Sequence, residues 1–567
     1  MTYPHLSGPT INSQTQPLAA SFPIVESSMS SAAEHDSHPV PSVDEAAIPF
    51  SDEQRLLLNQ FGDKFSRYAS SFSPQVIQNY LKFYHAVYKQ LASVTPDIVA
   101  KEAGDRFKAP APAIRVFLHK ALARFEVWLD KVIANRKSAA PFSVEEVPPL
   151  DVLSILHAYL LSPWGFDEDM SYHVPTLSKL PEFPLDHMKD LVNSEADFIA
   201  SETQIRSWET ATGLPFQIEA DNHLPQVTCP RCDELNVVAW TQTTTPSATG
   251  TGYAEKGFNH TCTKCQFNIT TSALCMKKLV NDLIAVQGSD QAFLACTVLR
   301  GNGDADTKAG SAIAAEVVKS LGDPTDHLGD KLSWDMGEAR RRIFEDSSSR
   351  IQKTKIDRLL GPYMQPSRFS VDLVYKAFSQ GGFAQKSENR GMYRTAILQG
   401  SETNELVEGI FAYRSFIKLQ LLPNLPKVSP TYIVDLVWHT HQLQSHNYKA
   451  QMQDMIGIFL NHRSIDLHAP VAPEPWRNTM AAAGLDNALS IGAPPRPPPI
   501  RTTQLTGGSN TPEPPTSPPD CDFCEAAARV PAEGSILPLE MLDDVNDALR
   551  GSQAPPSVKQ LSDFLRQ

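Results

Sequence analysis

Nowhere in its 567 residues does the chain carry an uninterrupted apolar run of the roughly 18 residues that a membrane-spanning helix needs. The N-terminal segment lacks a basic stretch followed by an apolar core, which argues against a secretory leader. Basic residues are scarce: 50 Lys and Arg face 64 Asp and Glu, for a formal net charge of −14. That balance removes the cationic footprint on which general nucleic-acid and anionic-membrane binding rest. Glycine is sparse too, with 28 residues against 45 prolines, which excludes glycine-rich fibres and points to Pro-rich linkers or tails. Catalytic signatures are missing: no P-loop, no G-x-S-x-G elbow, no G-x-G-x-x-G after a strand and no H-E-x-x-H. These absences predict a cytoplasmic or nuclear protein whose partners are other proteins, not membranes or nucleic acid.

What is present is mostly helical periodicity. The expected fold is mainly α: a helical domain of two related halves, with an inserted β zinc ribbon and disordered N- and C-terminal tails. Residues 1–50 are rich in Ser, Pro and Thr and read as disordered. From Ser51 the apolar residues fall at helical spacing, with Ser51 as N-cap of a first helix. A helical half then spans 51–225, the β-prone insert 226–274 and a second helical half 275–475. Residues 476–567 form a Pro-rich, mostly disordered tail with short helical patterns.

Eight cysteines contain three CxxC pairs. Cys229 and Cys232, with Cys262 and Cys265, form C-x2-C-x29-C-x2-C. Each CxxC turn aims two thiolates at one ion, and two turns complete a tetrahedral four-cysteine set of the structural-zinc type. Such a site has no open coordination position, so its expected role is folding and not catalysis. Runs 237–240 and 267–270 read as strands just after each turn. Cys521 and Cys524 form a third pair, a candidate second metal or redox pair without a nearby complement. Cys275 and Cys296 sit on apolar patterns and are expected in a core.

The segment 432–448 is rich in histidine. On a helix, Asp435 and His439 share a face, so the carboxylate can hold the imidazole. His441 lies about 200° away and lines up with Ser445 and Tyr448, so one helix cannot easily place both histidines on one ion. The segment 150–166 echoes this one when His157 is set against His439, which brings Tyr159 against His441 and suggests a duplicated helical unit. His157, Tyr159, Asp435, Trp438, His439 and His441 therefore form a candidate ligand site or a buried structural motif.

In their order, PPLDVLSILHAYLLSP, the two CxxC pairs, SRFSVDLVYKAFSQGGF and VDLVWHTHQL resemble the glycine-rich domain-containing protein family of plants and fungi. The resemblance covers roughly 51–470, and CDFCEA at 521–526 adds a further match. The Gly-rich C-terminal region of that family is replaced here by a Pro-rich one. The family's central domain has no established biochemical activity. Some fungal relatives carry a label of 2-oxoglutarate-dependent sulfonate dioxygenase, a chemistry that needs two histidines and a carboxylate, usually begun by H-x-D or H-x-E. None of the 16 histidines begins either motif. The function expected is a non-enzymatic, zinc-stabilised helical scaffold for protein interaction or regulation. The alternative is a metal- or small-ligand-dependent enzyme using His157, His439 and His441.

Overall fold

The computed structural model describes residues 52–94, 112–242, 250–299, 302–346, 359–392, 404–421, 430 and 432–462. Both expected tails, including Cys521 and Cys524, lie outside the described residues. The fold is mainly helical, with two small antiparallel sheets.

Helix α1 (Asp52–Arg67) starts one residue after Ser51. Helix α2 (Pro74–Val94) begins with proline, which fits a position where the backbone N–H has no helical partner. It buries Ile77, Tyr80, Leu81, Tyr84, Val87 and Leu91, a stripe at helical spacing. Helix α3 (Pro112–Lys131) buries Phe117, Leu118, Phe125 and Trp128. Helix α4 (Leu150–Leu160) is buried at every residue and so lies at the centre, as its nearly continuous apolar sequence dictates. Pro163 then opens the short α5 (Pro163–Glu168). Helix α6 (Glu202–Thr212) is capped by Ser201, whose hydroxyl accepts from Gln204 N, and ends on Gly213 in the left-handed region.

Two hairpins follow. Strands β1 (Gln226–Thr228) and β2 (Leu235–Val237) pair in register Val227 to Asn236. Strands β3 (Asn259–Thr261) and β4 (Asn268–Thr270) pair in register His260 to Ile269. Strand β4 falls within the run expected at 267–270, whereas β2 shares only Val237 with the run expected at 237–240, and a short strand also precedes each CxxC pair. Helices α7 (Thr271–Gly288), α8 (Thr307–Leu321) and α9 (Met336–Asp346) come next. The chain closes with α10 (Leu373–Asn389), α11 (Asn404–Leu419), α12 (Tyr432–Gln442) and α13 (Ser445–Ile456).

The apolar residues sort into three cores. The main one joins residues 61–218 to residues 369–459. Helix α10 packs on α2, α3 and α4, α13 packs on α1, and both histidine helices, α4 and α12, lie against α2. A second core joins α7, α8 and α9 to Leu294, Trp334 and Tyr363. The third is small and lies between the hairpins. The helices expected as one half over 275–475 thus divide their apolar residues between the first two cores. The reason is the chain's path: α7 follows β4 without a break, which keeps that helix beside the hairpins.

One junction between the first and second cores is a buried carboxyl. Glu168 accepts from the backbone N–H groups of Thr297, Val298 and Leu299 at 3.0, 3.4 and 3.3 Å. Burial pushes its carboxyl up to about 7, against the pull of those three donors. Cys275 is buried as expected, but Cys296 is exposed, in a turn with positive φ that breaks the helical pattern read there. Among the described residues no helix is long and apolar enough to cross a membrane.

Candidate metal centre and the buried histidine network

Each CxxC pair sits at the turn of its hairpin, and the two turns are built alike. Cys229 N donates to Glu234 O and Asp233 N to Cys229 O; Cys262 N donates to Phe267 O and Gln266 N to Cys262 O. Asp233 and Gln266, each four residues after the first cysteine of its pair, both have φ near +60°, at 58° and 61°. The left-handed residue turns the chain back so that both sulfurs of each pair face inward. Cys229 Sγ lies 3.6 Å from Cys265 Sγ, and Cys232 Sγ lies 3.6 Å from Cys262 Sγ. Tetrahedral zinc with Zn–S bonds of about 2.3 Å places its sulfurs about 3.8 Å apart. The four thiols can therefore hold a metal ion.

The surroundings act on the thiols in opposite directions, and burial pushes that of Cys229 up to about 12. The backbone N–H groups of Cys265 and Lys264 draw the Cys262 thiol down to about 6. The Asn236 amide points at Cys262 Sγ from 3.8 Å, and its carbonyl accepts from Thr263 N at 3.0 Å. Four Cys donors would fill a tetrahedral shell and leave no coordination position open.

The histidines occupy the main core. His157, His439 and His441 are 2%, 1% and 0% exposed, and burial lowers the pKa of each, that of His441 to about 4. The first two are linked through α2. His157 Nε2 meets Tyr80 Oη at 2.7 Å, and Tyr84 Oη meets His439 Nδ1 at 3.3 Å. The two tyrosine rings meet edge-on, with centroids 4.6 Å apart. His441 has separate partners, Tyr413 Oη and Gln451 Oε1, both at 2.7 Å. Its ring meets Tyr448 edge-on, the neighbour that helical geometry assigns it. Trp438 donates to Tyr448 Oη at 2.8 Å. Tyr159 belongs to a different cluster: its hydroxyl donates to Asp169, which also accepts from Ser370 N at 2.8 Å.

The histidines proposed from the sequence as one site are thus two buried clusters. His157 and His439 converge through tyrosines, and His441 stands apart. Sequence reasoning missed His462. Its Nε2 lies 3.0 Å from His439 Nε2 and 3.0 Å from Asp435 Oδ1, and His439 Nε2 lies 3.4 Å from the same oxygen. No spacing rule flags a histidine 23 residues beyond its partner on a return segment after α13. No family model, curated protein or solved structure matches this chain.

Proposed function

We propose that this chain is a non-enzymatic, zinc-stabilised helical scaffold that recognises another protein through its cysteine hairpins. The observation that carries the reading is the inverted polarity of β2. Its middle residue, Asn236, is 1% exposed and serves the thiols, while Leu235 and Val237 are 54% and 56% exposed on the opposite face. A strand whose polar residue faces the metal centre and whose apolar residues face outward presents a surface suited to a partner. Among the described residues the sheet has two strands, and none covers this face. The sequence supports the rest: an acidic chain of cytoplasmic or nuclear type, with no catalytic signature and a Pro-rich C-terminal region.

Zinc is the metal that a four-cysteine set at this spacing selects, and it serves here to hold the two hairpins together. The test is a Leu235→Glu, Val237→Glu double variant. It should keep its zinc and its melting temperature while losing a reproducible set of co-purifying proteins. An unchanged set of co-purifying proteins contradicts the proposal, and zinc loss in the wild-type protein without any change in fold contradicts the metal's role.

A further inference from the structure

We propose that Asp435, His439 and His462 form a second metal site, for a divalent first-row transition ion bound by both Nε2 atoms and by Oδ1 of the aspartate. It is independent of the four-cysteine centre and of the partner-binding reading.

Spacing is the first argument. The three donor atoms stand 3.0, 3.0 and 3.4 Å apart. Metal–nitrogen and metal–oxygen bonds of roughly 2.0–2.2 Å, at angles between about 90° and 110°, put neighbouring donors about 2.9–3.5 Å apart. An ion about 2.1 Å from all three atoms stands only about 1 Å out of their plane. The donor set of two imidazoles and one carboxylate suits zinc, iron, cobalt or nickel and disfavours magnesium or calcium.

Proton accounting is the second argument. Tyr84 donates its only hydroxyl proton to Gln380 Oε1, at 2.5 Å. It can therefore only accept from His439 Nδ1, which fixes the His439 tautomer with the proton on Nδ1 and a bare lone pair on Nε2. This is the outer support that metal-binding histidines ordinarily have. Asp435 Oδ1 is a bare acceptor as well. A proton on His462 Nε2 can serve either neighbour, but the contact between His439 Nε2 and Asp435 Oδ1 is left with two lone pairs and no proton. A cation among the three atoms removes that conflict. Among the described residues His462 Nδ1 has no hydrogen-bond partner, and the polar contacts of that ring there point into the triad.

Position is the third. Asp435 and His439 lie one turn apart on α12, and His462 returns after α13, packing its ring on Trp438 at 4.9 Å. An ion there ties the segment following α13 back to α12. Three protein donors also leave at least one coordination position for water or an exogenous ligand. His441, on the same helix, is the built-in contrast, since both of its ring nitrogens already have neutral partners.

The test uses the full-length protein with its thiolate-bound zinc left in place, titrated with cobalt(II) and read by absorption and by metal analysis. The wild type should take up one further ion per chain whose spectrum lacks thiolate-to-cobalt charge transfer. His462→Ala should lose that ion, and His441→Phe should keep it. A wild type that binds cobalt only with thiolate charge transfer overturns the assignment whatever the variants do. Full retention of the extra ion in a folded His462→Ala protein overturns it as well.

Discussion

In the helical body, Phe65, Tyr80, Trp128 and Tyr159 are at most 1% exposed and belong to one continuous apolar cluster. Between the cysteine hairpins six buried residues cluster among the described ones, and two of them are Cys229 and Cys262. The contrast separates two ways of fixing a chain. The body has enough apolar surface to place polar groups inside and satisfy them, as with Arg124. The hairpins, with strands of three residues, bury little surface of their own, and in the proposed reading a metal ion closes the gap. Their exposed Leu235 and Val237 follow from the same shortage of covering structure.

The contrast can be broken first at the thiols. Cys229→Ser should remove the proposed zinc and with it the fold of 226–270, since structural zinc contributes an apparent ~10–16 kcal/mol. Limited proteolysis should then cut within 226–270 and leave the helical body resistant. First cleavage inside α3 or α4 would show that the body depends on the metal as well.

Next in size is Arg124, 1% exposed. It donates to Asp151 Oδ2 at 2.7 Å, to Asp221 Oδ2 at 3.2 Å and to the carbonyls of Pro215 and Phe216 at 2.9 and 2.8 Å. Arg124→Ala takes a buried donor from Asp151 Oδ2 and from Phe216 O, while Pro215 O keeps Trp208 Nε1 and Asp221 keeps His223 N. It should lower unfolding free energy by ~3–5 kcal/mol, read as a shift of the denaturant midpoint, with zinc content unchanged. A shift below ~1 kcal/mol would mean that the body does not rely on its buried polar network.

The smallest effect is expected where the two cores meet. Glu168 has its carboxyl raised to about 7 in the fold, against 4.5 ordinarily. Between those values the folded chain holds a proton that the unfolded chain has lost, so stability rises as pH falls through about 7 and levels off near 4.5. The gain is at most ~3 kcal/mol. Glu168→Gln should flatten this step in melts taken from pH 8 to 5.5. The same rise in wild type and variant would assign the step to another group.

Much of this was legible in the sequence. Helical spacing marked 51–225 as helical, because periodicity acts locally. The four cysteines were legible because ligand spacing is a local property of the turn. Helical angles separated His441 from the face of His439 and Asp435, and they did so correctly. What was not legible depends on return paths. That α7, α8 and α9 form their own core, that Tyr80 and Tyr84 bridge the two histidine helices, and that His462 meets Asp435 all rest on contacts between segments distant in the chain. Cys296 looked like a core residue because its neighbours are apolar, yet its backbone turns it outward.

The central claim is that metal holds the hairpins while apolar burial holds the body, and hydrogen exchange on the full-length protein with and without a zinc chelator tests it most directly. The account predicts that chelation strips protection from the amides of 226–229, 234–238, 259–262 and 266–270, while those of α3 and α4 stay protected. Hairpins that remain protected without metal, or helices α3 and α4 that lose protection together with them, would contradict it.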